Sequence, residues 1–168
     1  MLNEGGGIVS EVSWLGERRE RIPHHRLFEA EGIVAKGGSG SKVFHLDDVP
    51  ELASVHDGRR KKVLLNRPST GSELLVDVLT YGPGVTSPLH YHRGTDHFFF
   101  VLDGRGRILI QDREYPLRAG TVVWIAEGDV HKVYADPDSP LTFLEYFSRG
   151  DHETVFLEQA CEWQPQKR

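Results

Sequence analysis

Residues 84–104 read GVTSPLHYHRGTDHFFFVLDG and contain three closely spaced histidines. One residue separates His90 from His92, which on a β-strand places both imidazoles on the same face. His97 follows a short turn and opens the next strand, so an antiparallel return would bring it back beside the pair. The segment therefore predicts two strands that present a chelating group of nitrogen donors.

A second segment, residues 120–131, reads GTVVWIAEGDVH and ends on another histidine. Its pattern is that of a strand, a glycine turn and the start of a further strand, which presents the imidazole of His131. Imidazole is the commonest neutral metal ligand and suits Fe, Mn, Cu, Ni and Zn. The remaining histidines are expected to be surface or hydrogen-bonded residues, namely His24, His25, His45, His56 and His152.

Around these segments, short apolar runs alternate with Gly, Pro or Asp at nearly every junction. This spacing is typical of a β-sandwich or β-barrel. The predicted strands are Lys62–Leu65, Glu73–Tyr81, Phe98–Leu102, Arg107–Gln111, Thr121–Ile125, His131–Ala135 and Leu141–Phe147. The basic run Arg59–Lys62 is expected to be a solvated turn before the first of them.

Length and composition indicate one globular domain. The chain has 168 residues, of which 38% are hydrophobic, enough for a single core. Its net charge of −5 gives no sign of nucleic-acid binding, and no apolar stretch approaches the length needed to span a membrane. The single cysteine, Cys161, excludes an intramolecular disulfide, and no signal peptide is visible, so we expect a cytoplasmic protein.

We divide the chain into an N-terminal arm, residues 1–40, a β-barrel, residues 41–155, and a C-terminal tail, residues 156–168. In the arm, Ser10 is expected to cap a short helix that runs through Glu17–Arg21 and ends at Pro23. Leu27–Ala35 could form one strand. A flexible joint is predicted over Gly37–Ser41 because it consists of Gly and Ser alone.

The first histidine segment resembles the first motif of the cupin family, G-x5-H-x-H-x3–4-E-x6-G. Gly84, His90, His92 and Gly104 match this motif. The departure from the motif is at its glutamate position, which His97 occupies.

The second segment resembles the second cupin motif, G-x5-P-x-G-x2-H-x3-N. Gly120, Gly128 and His131 match it, while Ala126 and Ala135 replace the proline and the asparagine. The resemblance extends over about residues 62–147.

The resemblance implies an all-β fold, the double-stranded β-helix or jelly-roll barrel of the cupins. One subgroup of small cupins has histidine at the position of His97 and binds a metal through four histidines, and this sequence is similar to that subgroup. The implied ligands are His90, His92, His97 and His131. The implied cofactor is one divalent transition metal ion per chain, with Fe(II) or Mn(II) favoured and Zn, Ni or Cu possible. The resemblance also implies a homodimer.

Strand alternation predicts which side chains line the barrel interior, given that His97 and His131 point inward. The predicted pocket residues are Phe99, Val101, Val123, Ile125 and Val133. Such a lining favours a small, mostly apolar organic molecule with an oxygen-rich head. Glu145 lies in an otherwise apolar strand, where a carboxylate is costly unless paired or functional, and it is the candidate catalytic residue.

Four neutral ligands would leave the metal its full double charge, which favours an anionic substrate. The first hypothesis is a mononuclear non-haem metal dioxygenase or oxygenase acting on a small oxygenated or aromatic substrate. The second is a non-redox, metal-dependent isomerase, cyclase or lyase acting through an enolate. The third is a non-catalytic protein that binds a small molecule, and the sequence leaves all three open.

Overall fold

The computed structural model describes residues 20–23 and 40–166. These residues form twelve strands, β1 to β12, and two short helical turns. The strands are Glu20–Pro23, Leu52–Ser54, Arg59–Leu65, Leu75–Tyr81, His90–Arg93, His97–Ile110, Arg113–Arg118, Val122–Ile125, His131–Ala135, Leu141–Phe147, Glu153–Phe156 and Trp163–Pro165. The turns are a 3-10 turn at Leu46–Asp48 and one turn of α-helix, α1, at Arg67–Thr70.

Strand β6 joins the two halves of a curled sheet. Its first residues, His97–Phe100, pair with β8 and β10, and its last, Gly106–Ile110, pair with β7 and β9. The sheet continues from β10 through β4, β3, β2 and β12, and from β9 through β5, β11 and β1. The strand pairs that the structure describes are antiparallel. The predicted all-β jelly roll is confirmed.

The hydrophobic core lies inside this curl and follows the two-residue period of the strands. On β10, Leu141, Phe143 and Phe147 are buried and alternate with partly exposed residues. Phe143 packs against Phe99 of β6, with ring centroids 4.7 Å apart. The core therefore holds β6 and β10 side by side around the interior that contains the histidines.

Strand β6 is longer than the sequence predicts. Two strands, Phe98–Leu102 and Arg107–Gln111, were expected on either side of Gly104, but one strand passes through this glycine. Gly104 has φ +85, and a Cβ atom there would collide with the carbonyl of Pro140. Glycine thus lets the chain continue where the neighbouring backbone comes too close for a side chain.

The basic run is a strand and not the predicted solvated turn. Strand β3 begins at Arg59, and its first residues alternate between buried and exposed. Arg59 and Lys61 point inward, where Asp57 and Asp77 provide opposite charge. Pairing of β3 with β4 therefore outweighs the preference of charged residues for solvent.

Both ends of the described chain add strands to the sheet. Glu20–Pro23 pairs with Glu153–Phe156, so the predicted helix is wrong for Glu20 and Arg21. A pairing partner distant in sequence overrides the local helical pattern. The rest of the predicted arm, including Leu27–Ala35, lies outside the described residues. The segment named as a C-terminal tail contributes Trp163–Pro165, which pairs with β2.

Across residues 20–23 and 40–166, the structure contains no helix with the length and hydropathy needed to cross a membrane.

Candidate metal centre

Three histidines from two neighbouring strands converge inside the barrel. His90 of β5 lies directly opposite His131 of β9, with ring centroids 4.3 Å apart. His92 follows two residues along β5, and its ring centroid is 5.2 Å from that of His131. One ligand nitrogen from each ring lies within 4.8 Å of the others, which makes the three a candidate metal-binding group.

Hydrogen bonds orient these rings toward a common centre. The Nδ1–H groups of His90 and His131 donate to the backbone oxygens of Pro88 and Asp129, each at 2.8 Å. Nδ1 of His92 lies 3.1 Å from the hydroxyl oxygen of Thr154. The Nε2 atoms of His92 and His131 are buried and have no hydrogen-bond partner within the protein. Fixed Nδ1 atoms and unused Nε2 lone pairs fit a bound metal ion.

Burial keeps the three rings neutral at pH 7. It is the main cause that lowers the pKa of His131 to about 3, and the nearby His97 lowers it further. Burial, followed by the neighbouring imidazoles, also lowers the pKa of His90 and His92 well below the ordinary value. Because neutral imidazole is the form that binds metal, the group does not have to release protons at neutral pH.

The structure brings His97 beside this group but not into it. Its ring centroid lies 5.1 Å from that of His92 and 5.4 Å from that of His131. Its Nε2 faces Oε2 of Glu145 at 3.2 Å, and its Nδ1 is buried without a hydrogen-bond partner. Phe147 stacks on the ring at 4.3 Å. His97 is therefore held at the edge of the centre, where it also meets a carboxyl group.

Glu145 lines the same cavity as the histidines. It lies on β10, opposite Phe99 of β6 and Asp77 of β4. Burial raises the pKa of Glu145 to about 7, although Lys61 and Arg59 oppose this shift. A carboxyl group with a pKa near 7 can both donate and accept a proton at neutral pH.

The histidines and Glu145 line one cavity of about 60 Å³. Of the predicted pocket residues, Phe99 and Val133 line it. Val101, Val123 and Ile125 do not, and they lie in the hydrophobic core. Alternation along a strand predicts that these side chains point inward, but it does not predict how far along the barrel the cavity extends.

Several residues at the site escape prediction from the sequence. Thr154 reaches His92 from β11, and the buried His152 stacks on Phe147 at 4.4 Å, with its ring centroid 5.1 Å from that of His92. The basic run supplies two more, since Arg59 and Lys61 line the cavity. Apart from the stacking of His152 on Phe147, these contacts join segments that are distant in sequence, so the sequence carries no local signal for them.

Comparison with known proteins agrees with this architecture. Residues 77–147 match the family model described as a cupin domain. The oxalate decarboxylase OxdC of Bacillus subtilis is 27% identical over 140 residues, which are 80% of this chain and 31% of that protein. The oxalate-binding protein of Thermotoga maritima is 26% identical over 114 residues, 65% of this chain and 94% of that protein. The chain thus spans about a third of the first relative's length.

Solved structures share the fold at lower identity. The polyketide cyclase RemF from Streptomyces resistomycificus has a TM-score of 0.60 at 21% identity, covering 71% of this chain and 89% of that one. A sugar phosphate isomerase of the cupin superfamily from Silicibacter pomeroyi has a TM-score of 0.61 at 20% identity, covering 74% of this chain and 93% of that one. At these identities the likeness shows the fold alone. The cupin-domain match covers residues 77–147 of this chain, and the solved structures share its jelly-roll fold.

Proposed function

We propose that this chain is a metal-dependent enzyme that holds one divalent transition metal ion at His90, His92 and His131. The observation that carries the proposal is the pair of buried, unpartnered Nε2 atoms on His92 and His131, beside His90. A buried nitrogen with an unused lone pair costs free energy unless a ligand occupies it. The cupin resemblance favours Fe(II) or Mn(II) as the proposed metal, and imidazole ligands also suit Zn, Ni and Cu.

His97 is proposed as the fourth ligand, with Glu145 as the adjacent acid–base group. The resemblance of the first motif supports this assignment, because His97 occupies the position of its glutamate. Glu145, on the neighbouring strand, places a carboxyl group beside His97, with 3.2 Å between its Oε2 and Nε2 of His97. The two side chains therefore divide the roles of ligand and proton carrier.

The arrangement supports proton-transfer chemistry on a small oxygenated substrate. When bound, a divalent metal supplies a Lewis acid that polarises a substrate oxygen. Glu145 lines the cavity and has a pKa of about 7, raised chiefly by burial, so its carboxyl group can take a proton from substrate carbon and return it. This favours an isomerase, cyclase or lyase reaction through an enolate.

An oxygenase is the second proposal, and the apolar side of the cavity supports it. Phe99, Val133, Phe143 and Phe147 line the interior beside the histidines and limit the water that reaches it. Exclusion of water protects reactive species from side reactions. This reaction would need a redox-active metal such as Fe(II) or Mn(II), whereas the proton-transfer reaction would also proceed with Zn.

The two proposals are separated by one experiment on the full chain loaded anaerobically with Fe(II). A panel of small hydroxy and oxo compounds in D₂O is assayed for deuterium exchange, and then for dioxygen uptake on admission of air. We expect exchange that is lost in Glu145→Gln and retained in Glu114→Gln, a matched change at an exposed carboxylate. Dioxygen uptake without exchange would favour the oxygenase. If the chain shows neither exchange nor dioxygen uptake, the remaining hypothesis is a protein that binds a small molecule without catalysis.

A further inference from the structure

The inner face of β3 carries two buried cations that the proposed metal reaction does not use. Arg59 and Lys61 are 4% and 3% exposed, whereas Arg60, between them, faces outward. Removing charged side chains from water is costly unless other groups compensate. Both line the same cavity as the metal-binding histidines, so their charge reaches any molecule bound there.

Arg59 provides a fixed positive charge. Its Nε and Nη2 donate to the two carboxylate oxygens of Asp57 at 2.9 and 2.8 Å, and Nη2 also contacts Sγ of Cys161. The guanidinium lies 5.7 Å from the ring centroid of Tyr81 and 5.3 Å from that of Trp163. A guanidinium stays protonated in proteins, and these contacts leave it little freedom to move.

Lys61 lies between the cavity and a carboxylate behind it. Its Nζ is 3.5 Å from Oδ2 of Asp77 and 4.5 Å from the ring centroid of Trp163. Lys61 and Trp163 line the cavity, whereas Asp77 is fully buried and does not. An ammonium carries three hydrogens, so it can contact a structural carboxylate on one side and a ligand on the other.

Once the metal is bound, the groups in and around the cavity carry a net positive charge, which favours an anionic ligand. Arg59, Lys61 and a divalent ion bring more positive charge than Asp57, Asp77 and Glu145 can offset, and the four site histidines are neutral. Within residues 40–166, Glu145 is the only acidic side chain that lines the cavity. A negatively charged ligand would therefore complete the balance.

We infer that the ligand of this cavity is a small organic acid whose carboxylate pairs with Lys61 in the field of Arg59, while its other oxygens face the histidine cluster. A cavity of about 60 Å³ favours a small molecule, such as a short hydroxy or oxo acid. The inference rests on the proposed function, because it names the substrate class of the same site and makes Lys61 the residue that selects it.

The experiment compares lactate with lactamide, which have the same number of heavy atoms and differ in charge. Each is titrated by NMR into the full chain loaded with diamagnetic Zn²⁺. Lactate should bind at least about tenfold more tightly than lactamide, as expected for a charge-assisted contact. Equal affinity for the two probes overturns the inference without any mutation.

Variants assign the effect to Lys61. Lys61→Met alone leaves Asp77 without its cation, so the principal variant is Lys61→Met with Asp77→Asn, which removes both charges at similar volume. Lactate affinity should fall about tenfold in this variant. The control is Lys62→Met, which should leave lactate affinity unchanged. The Nζ of Lys62 contacts the backbone oxygen of Leu46, outside the cavity. Wild-type lactate affinity in the folded double variant, with its metal content intact, overturns the assignment.

The same titration in metal-free protein separates this inference from the proposed function. Lysine-dependent binding of lactate should persist there at lower affinity, because Lys61 is still present but the double positive charge of the metal is not. A chain that never takes up metal but retains this binding would contradict the proposed enzyme and support the anion subsite. A chain that binds metal but prefers lactamide would contradict the anion subsite and leave the proposed metal centre standing.

Discussion

The Nδ1 atoms of the site histidines are held in two different ways. Those of His90 and His131 donate to the backbone two residues earlier in the chain, at Pro88 and Asp129. No side-chain substitution removes these acceptors. Nδ1 of His92 depends instead on the hydroxyl of Thr154, which belongs to a different strand. The orientation of His92 is therefore the one that a single mutation can disturb.

Thr154→Val tests this dependence, because it removes the hydroxyl and keeps the shape. We expect Zn²⁺ affinity to fall about 10- to 100-fold, the usual effect of losing a hydrogen bond to a metal-binding histidine. Thr154→Ser keeps the hydroxyl and should bind nearly as wild type. Competition with a chelating dye measures both, and equal affinity in the Val and Ser variants would contradict the proposed orientation.

His131 and His97 should differ in their importance for metal binding. His131 belongs to the converging group of three, so His131→Ala should abolish binding at micromolar metal. His97 lies beside that group, so His97→Ala should weaken binding while the chain stays folded. His56→Ala, at a half-exposed position, serves as the control. Wild-type affinity in His97→Ala would contradict the proposal of a fourth histidine ligand.

Among the elements, those that position the metal were predictable because their signals are local. The spacing of His90, His92 and His97 marks two successive strands, and a glycine turn marks the start of β9. Strands β1, β11 and β12 owe their place to partners distant in sequence, so they carry no comparable signal. The sequence wrongly predicts a turn at the basic start of β3. The charges of this segment are compensated by Asp57 and Asp77, and the sequence does not show that these carboxylates lie close to it.

Glycine positions offer a matched test of how β6 meets its neighbours. Gly104 and Gly120 both have φ +85, but a Cβ atom collides with Pro140 at Gly104 and meets nothing within 4 Å at Gly120. Gly120→Ala should lower the free energy of unfolding by about 1–2 kcal/mol through backbone strain alone. Gly104→Ala should cost about 1–3 kcal/mol more. Urea unfolding measures both, and equal losses would show that the close approach is not important.

On the scale of the whole molecule, stability and metal binding depend on the same buried histidines. Burial lowers the pKa of His97 and His131 to about 3 in the folded chain, from an ordinary value of 6.5. Between these values the unfolded chain binds more protons than the folded one, so acid favours unfolding. Burial raises the pKa of Asp77 and Glu145 to about 7, which has the opposite effect below that pH.

The histidines outnumber the two carboxyl groups, because the pKa values of His90 and His92 are lowered as well. The metal-free protein should therefore lose stability as the pH falls from about 6.5 toward 4. The midpoint of urea unfolding, measured at several pH values in this range with a chelator present, tests this expected loss of stability. A midpoint that stays level or rises on acidification would mean that the carboxyl groups dominate.

Assembly and location remain predictions from the sequence. Val122 and Trp124 of β8 are 60% and 64% exposed, so apolar side chains remain on the outer surface of the chain. Light scattering of the purified protein would test the predicted homodimer, for which we expect twice the mass of one chain. A monomer at micromolar concentration would contradict it.

The metal content of the purified chain tests the central claim most directly. Elemental analysis follows purification without added metal and anaerobic reconstitution with Fe(II), in wild type and in a His90→Ala, His92→Ala double variant. The account predicts about one divalent transition metal ion per wild-type chain and none in the double variant. Absence of metal from the wild type under both conditions, or its retention in the double variant, would contradict the proposed centre.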